Sequence, residues 1–263
     1  MRTTNPIFKQ NEFSEDTVYS RGDNSGVEVI GEPGFSDIAS AGTRMTVSGA
    51  VNKTFLLLTL LIGAAGWTWH WVAVGGNPMP WLLAGLFGGL PIALFLPFKP
   101  TWAAVLAPIY AILQGLLIGA ASALFERQYP GIVIHAVGLT IGVLACMLIA
   151  YRSGIIRVTD KFILGVVAAT GAVFLVYMVD IILHLFGSSN PMIHSTGALG
   201  IGVSVVFIIV AALNLVLDFH FFEVGERNGA PKYMEWYAAF GLIVTLVWLY
   251  LEILRLLSKL KDR

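Results

Sequence analysis

The chain has 263 residues, of which 57% are hydrophobic and only 12% charged, and its mean hydropathy is +0.79. A water-soluble domain carries about a quarter charged residues, so this composition excludes a soluble globular protein and points to a chain lying largely in a bilayer. The formal net charge of zero, from 16 basic and 16 acidic residues, decides little because the two signs are segregated along the chain.

Residues 1–43 come first. Their stretch NEFSEDTVYSRGDNSGVEVIGEPGFSDIASAG is rich in Gly, Ser, Asp and Glu and has no sustained helical period, which predicts a disordered, acidic cytoplasmic tail. No short apolar segment of the kind that forms a cleavable signal peptide is visible in it. Residues 44–263 read as one membrane domain. Apolar runs long enough to cross ~30 Å of hydrocarbon are predicted near 54–74, 81–98, 102–125, 131–151, 162–186, 197–222 and 236–257. Trp67, Trp69, Trp71, Trp81 and Trp102 cluster at span ends, where amphipathic rings prefer to sit. Pro91, Pro97 and Pro108 punctuate the second and third spans, and Gly85, Gly88, Gly89, Gly115 and Gly119 offer small faces for close helix contact. Cys146 lies alone in an apolar run and reads as a small hydrophobe. With no strand signal, the expected fold is an all-α bundle of seven transmembrane helices.

Basic residues set the orientation. Arg44, Lys53, Lys99, Arg152, Arg157, Lys161, Arg227 and Lys232 fall on the side that holds the N-terminus, against Arg127 alone among the opposite connections. The positive-inside rule therefore places the N-terminus in the cytoplasm. Lys259, Lys261 and Arg263 disagree, since seven crossings put them outside. Either the tail is too short to matter or the last segment enters and returns; seven crossings is the favoured reading.

The chain carries no H-E-x-x-H, no G-x-S-x-G, no P-loop and no dinucleotide-binding glycine fingerprint, so enzymatic activity is not expected. Nothing in it points to nucleic acid. Ionisable residues inside the spans are the informative ones, because each is costly in hydrocarbon. Asp218 lies late in the sixth span with Asn214 one turn earlier on the same face. Glu252 sits within the seventh span and Glu235 near its start. Gln114 lies in the third, and Asp180 and His184, four apart, share a face of the fifth. Two acids on consecutive helices, Asp218 and Glu252, suggest a shared site.

The stretch LNLVLDFHFFE, followed by a polar loop and LYLEILRLL, resembles the end of the Bax inhibitor-1 family of membrane proteins, in which an aspartate late in the sixth helix precedes an acid in a final apolar segment. YAILQGLLIGAAS is similar to that family's third helix, where a glutamate often stands at the position of Gln114. The likeness extends over residues 44–260 and is strongest to a bacterial branch with a long acidic N-tail. The resemblance implies a seven-helix protein of the bacterial cytoplasmic membrane that passes calcium down its gradient and senses pH through paired carboxylates. Carried over by position, the pair is Asp218 with Glu252, which would also hold calcium weakly. Calcium is the transported ion, and no cofactor is expected. Two positions depart from the pattern: the second acid is Glu rather than Asp, and Gln114 lacks the charge.

Hairpin geometry tests the pair. With the turn centred near Asn228 in GERNGAP, Asp218 faces Ala238 and Glu252 faces Ser204. That is a mismatch of about fourteen residues, or ~21 Å at 1.5 Å per residue. The pair meets only if the helix breaks near Gly241; otherwise Glu235 is the companion of Asp218. If they do meet, the two acids share a proton, because two carboxylates in a low-dielectric site resist ionising together. Lys99, on the same side, is a candidate to stabilise the remaining charge. An alternative class is a regulator that binds other membrane proteins, such as a membrane protease, without transporting ions. His70, His135, His184 and His194, with Asp180 and Glu126, map to the outer face and raise the idea of a metal or external pH site.

Overall fold

The computed structural model describes residues 44–186, 195 and 197–262; the tail over 1–43 lies outside the described residues. Among these residues the chain forms seven long helices, each long and apolar enough to cross a membrane: α1 (Val47–Ala73), α2 (Met79–Phe95), α3 (Ala103–Gln128), α4 (Ile132–Arg152), α5 (Asp160–Leu185), α6 (Ala198–Arg227) and α7 (Met234–Lys261). Two 3-10 turns, Leu96–Phe98 and Pro100–Trp102, join α2 to α3, where Pro97 and Pro100 deny the backbone the donors an α-helix needs. The protein is an all-α polytopic membrane bundle. Its helices begin and end up to seven residues beyond the apolar runs, because polar residues in the interfacial zone continue the backbone ladder that hydropathy does not see.

α7 is the hub of the bundle. It packs against α6, α1, α3 and α4, and its buried residues include Ala238, Ile243, Leu249, Ile253 and Leu254. α5 lies at the perimeter, packed on α6 through Val173, Tyr177, Phe207 and Val210. The glycines do what their size allows. A Cβ on Gly115 or Gly119 would collide with the carbonyls of Leu61 and Ala65, so α3 and α1 approach almost backbone to backbone. On the other flank Gly85, Gly88 and Gly89 of α2 receive Leu117, Leu113 and Gln114 of α3.

The start of α1 is fastened to the α6–α7 connection. Met45 donates its N–H to the Ala230 carbonyl (2.6 Å), and its buried side chain lies on Gly225. Thr46 caps α1 by accepting from the Gly49 N–H at 3.0 Å, the usual role of a threonine before a helix. The Val47 N–H, a further unpaired donor of the first turn, goes to Glu226 at 3.1 Å.

Candidate functional site

A polar seam runs between α5, α6 and α7, and its origin is a spacing. Gly241, Thr245, Trp248, Glu252, Arg255 and Lys259 recur at alternating intervals of four and three, which aligns them on one face of α7. On α6 the matching face carries Ser204, Asn214 and Asp218. The two helices are antiparallel with a constant register: Thr245 lies beside Asp218, and Lys259 reaches Ser204.

At one end Lys259, 6% exposed, donates to the Ser204 hydroxyl (2.8 Å) and to the Gly200 carbonyl (3.0 Å). One turn back on α7, Arg255 forms an ion pair with Glu252, 3.1 Å to each carboxylate oxygen. Glu252, 2% exposed, also accepts from the Trp248 indole N–H at 3.2 Å and from the Tyr177 hydroxyl of α5. The Arg255 guanidinium in turn donates to that hydroxyl and lies over the tyrosine ring, 5.1 Å from its centroid. Deeper in the seam, Asn214 donates to Thr170 of α5 at 2.7 Å and to the Val210 carbonyl at 2.9 Å.

Asp218 is treated differently. One carboxylate oxygen approaches Gly241 so closely that a Cβ there would be 3.5 Å away. The Thr245 hydroxyl is adjacent, but its single proton is shared between the acid and the Gly241 carbonyl, which it meets at 3.2 Å. The other oxygen, Oδ2, is buried with no hydrogen-bond partner, and Asp218 takes part in no ion pair among the described residues. Buried polar atoms without partners are rare.

The expected carboxylate pair is therefore not assembled. α7 is unbroken at Gly241, so Glu252 lies two helical turns beyond Thr245, about 10 Å along the axis from Asp218. The register differs from the hairpin estimate because α6 continues to Arg227, which moves the centre of the connection about three residues later. Glu235 is not the companion of Asp218 either. It is fully buried beside α1, accepting from the Thr46 N–H (3.0 Å) and hydroxyl (3.1 Å) and pairing with Lys53 and Lys232. A Cβ on Gly49 would strike its carboxylate, so that glycine makes the contact possible.

The supporting candidates separate in the same way. Gln114 is buried on the α2–α3 contact over Gly89, and its neighbour there is Tyr110 of its own helix. Lys99 stands exposed between the two 3-10 turns and makes no side-chain bond to Asp218 or Glu252. Of the histidines, His70 and His135 are exposed; the His184 side chain and His194 lie outside the described residues. Among the described residues no three His, Cys, Asp or Glu side chains are grouped to hold a metal ion. Arg255, Tyr177, Thr245, Lys259 and Lys53 went unnoticed as partners in the sequence reading. Arg255 had a signal, since it follows Glu252 by three residues on a helix; Tyr177 and Lys53 had none short of the packing itself.

Lys259, one of the charges that seven crossings put outside, is engaged within the bundle. It is a bonded side chain inside the bundle rather than a loop charge, and Lys261 donates to the Pro130 carbonyl at 2.9 Å.

No curated protein and no solved structure matches the chain. A family model described as Bax inhibitor 1 like matches residues 5–262, nearly its whole length. Seven helices long and apolar enough to cross a membrane agree with that match, and the chain belongs to the Bax inhibitor 1 like family.

Proposed function

We propose that this protein is a leak pathway for calcium across the bacterial cytoplasmic membrane, its N-terminus cytoplasmic, opened and closed by the proton on Asp218. The observation that carries this reading is the buried, unpartnered Oδ2 between α6 and α7. An intramembrane acid whose hydrogen bonding is incomplete is free to answer to protons and cations, whereas one locked in an ion pair is not.

With the proton bound, Asp218 is neutral and the seam stays dry. Ionisation leaves a bare charge between two helices, which is costly there unless water or a cation enters to compensate it. The Asp218 carboxylate, the Thr245 hydroxyl beside it and, one helical turn earlier on α6, the Asn214 side chain offer hard oxygen ligands. Calcium takes six to eight such ligands, so three with water hold it weakly, which suits passage. A single carboxylate, not a pair, is the sensor in this chain.

Purified protein in liposomes loaded with a calcium indicator tests the reading. Wild-type protein passes calcium faster at mildly alkaline than at acidic pH. Asp218→Asn flattens that dependence, and Glu252→Gln leaves it in place. A wild-type pH response retained in Asp218→Asn removes Asp218 as the sensor. Absence of calcium flux from the wild type moves the protein to the alternative class of membrane-protein regulator. A periplasmic reporter that is active when fused after Asp262 supports the orientation, and one active only in the cytoplasm overturns it.

A further inference from the structure

A cavity of about 390 Å³ lies on the opposite flank of α7, away from the seam. Its floor is made by buried residues of α3 and α7, among them Ile243, Ser122 and Tyr250, and the Ser122 and Tyr250 hydroxyls satisfy each other at 2.7 Å. Its walls are α1 and α4, and there Ile62, Val137 and Ile141 are 59%, 41% and 60% exposed. The cavity therefore opens sideways on the lipid-facing perimeter. Along α1 it runs from Leu58 to Trp69, which is about 16 Å at 1.5 Å per residue, or roughly half of a ~30 Å hydrocarbon core. Its length is that of one leaflet.

The interfacial end is marked by charge. Arg127, in the last turn of α3, is exposed and donates to the Val72 carbonyl, one turn from the cavity-lining Trp69. That bond uses one of five guanidinium donors, and no carboxylate pairs with Arg127 among the described residues. The adjacent Glu126 is engaged elsewhere: its oxygens accept the N–H groups of Gly131 (2.6 Å) and Val133 (3.2 Å) at the start of α4. An arginine with free donors at the mouth of an apolar slot is suited to a phosphate.

We propose that this cavity is a phospholipid site, with one acyl chain along the α1–α4 opening and the headgroup phosphate on Arg127. An opening of leaflet depth with a basic residue beyond one end matches that molecule at both its acyl chain and its phosphate. Free phosphate would satisfy only Arg127, and a neutral diacylglycerol only the slot.

Gly66 lines the cavity, and a Cβ on it meets nothing within 4 Å, so Gly66→Phe fills the slot without a backbone clash. Gly63, on the same helix, is equally open but does not line the cavity, so Gly63→Phe controls for added bulk. Native mass spectrometry of full-length protein, delipidated in detergent and titrated with a phospholipid, reads the occupancy. Wild type and Gly63→Phe are expected to retain one phospholipid, with at least tenfold weaker binding in Gly66→Phe. Arg127→Gln is expected to lose the preference for phospholipid over diacylglycerol while still accepting either. Equal retention by Gly66→Phe and wild type overturns the acyl site, as does equal loss in Gly63→Phe. A phospholipid preference unchanged in Arg127→Gln overturns the phosphate contact.

Discussion

Glu252 and Asp218 stand two turns apart along one seam and are handled in opposite ways. Glu252 has a guanidinium, an indole N–H and a phenol hydroxyl directed at it, and its ionised form is compensated on every side. Asp218 has one shared hydroxyl and an oxygen with nothing. The contrast separates two uses of an acid in a membrane helix. A carboxylate whose lone pairs are filled holds helices together, and its cost is offset by its partners. One left incomplete contributes little to holding the fold, and its state can change without dismantling the bundle. The glutamate in the midst of LYLEILRLL has its compensating charge in the arginine three residues later.

The sharpest way to break the comparison is to remove the compensation. Arg255→Ala leaves Glu252 buried and unpaired, and breaking such a pair from one side is expected to cost about 3 kcal/mol. A large drop in thermal melting temperature in detergent checks this, and the double variant Arg255→Ala with Glu252→Ala is expected to recover part of it. If the single variant melts like the wild type, the ion pair is not what makes Glu252 tolerable.

The second largest effect is expected at the third acid, Glu235, which fastens the start of α1. Glu235→Gln removes the charge that Lys53 and Lys232 pair with but keeps an acceptor for Thr46, a loss of about 2 kcal/mol for charge-assisted bonds. Limited proteolysis should then cut faster near residue 44 than in the wild type. Unchanged cleavage would show that the Met45 and Val47 contacts suffice.

A smaller change is expected from Tyr177→Phe, which removes the phenol hydroxyl bonded to Glu252 but keeps the ring under Arg255. About 1 kcal/mol is expected from one hydrogen bond. Melting measurements on Tyr177→Phe, Arg255→Ala and their combination should show non-additivity, since the two side chains share partners. Strict additivity would argue that Tyr177 acts alone.

The smallest stability effect belongs to Asp218→Asn. With no partner lost at Oδ2, its stability should stay within about ±0.5 kcal/mol of the wild type, read as an unchanged melting temperature. The same variant carries the largest expected change in pH-dependent flux, so stability and function rank the two acids in reverse order. A strongly destabilised Asp218→Asn would place Asp218 with Glu252 as a structural acid.

The spans were legible in the sequence because hydropathy is a local property that needs no neighbour: every apolar run became a helix, and Gly85, Gly88, Gly89, Gly115 and Gly119 all lie at close helix contacts. The intramembrane acids were legible too, since a charge stands out against Leu and Val wherever it sits. Their partners were not. Whether Asp218 meets Glu252, Glu235 or Thr245 depends on where α6 ends, and three residues of continued helix are enough to rotate and slide one face past another. Tyr177 and Lys53 come to Glu252 and Glu235 from helices distant in the chain, and Lys259 passes from a tail charge to a buried donor by the same packing. The sequence by itself determined which residues are expensive in a membrane, because that cost is set by side-chain chemistry. Only the tertiary structure decided which of them are compensated, because compensation requires a donor within about 3 Å, and that distance is set by helix register and packing.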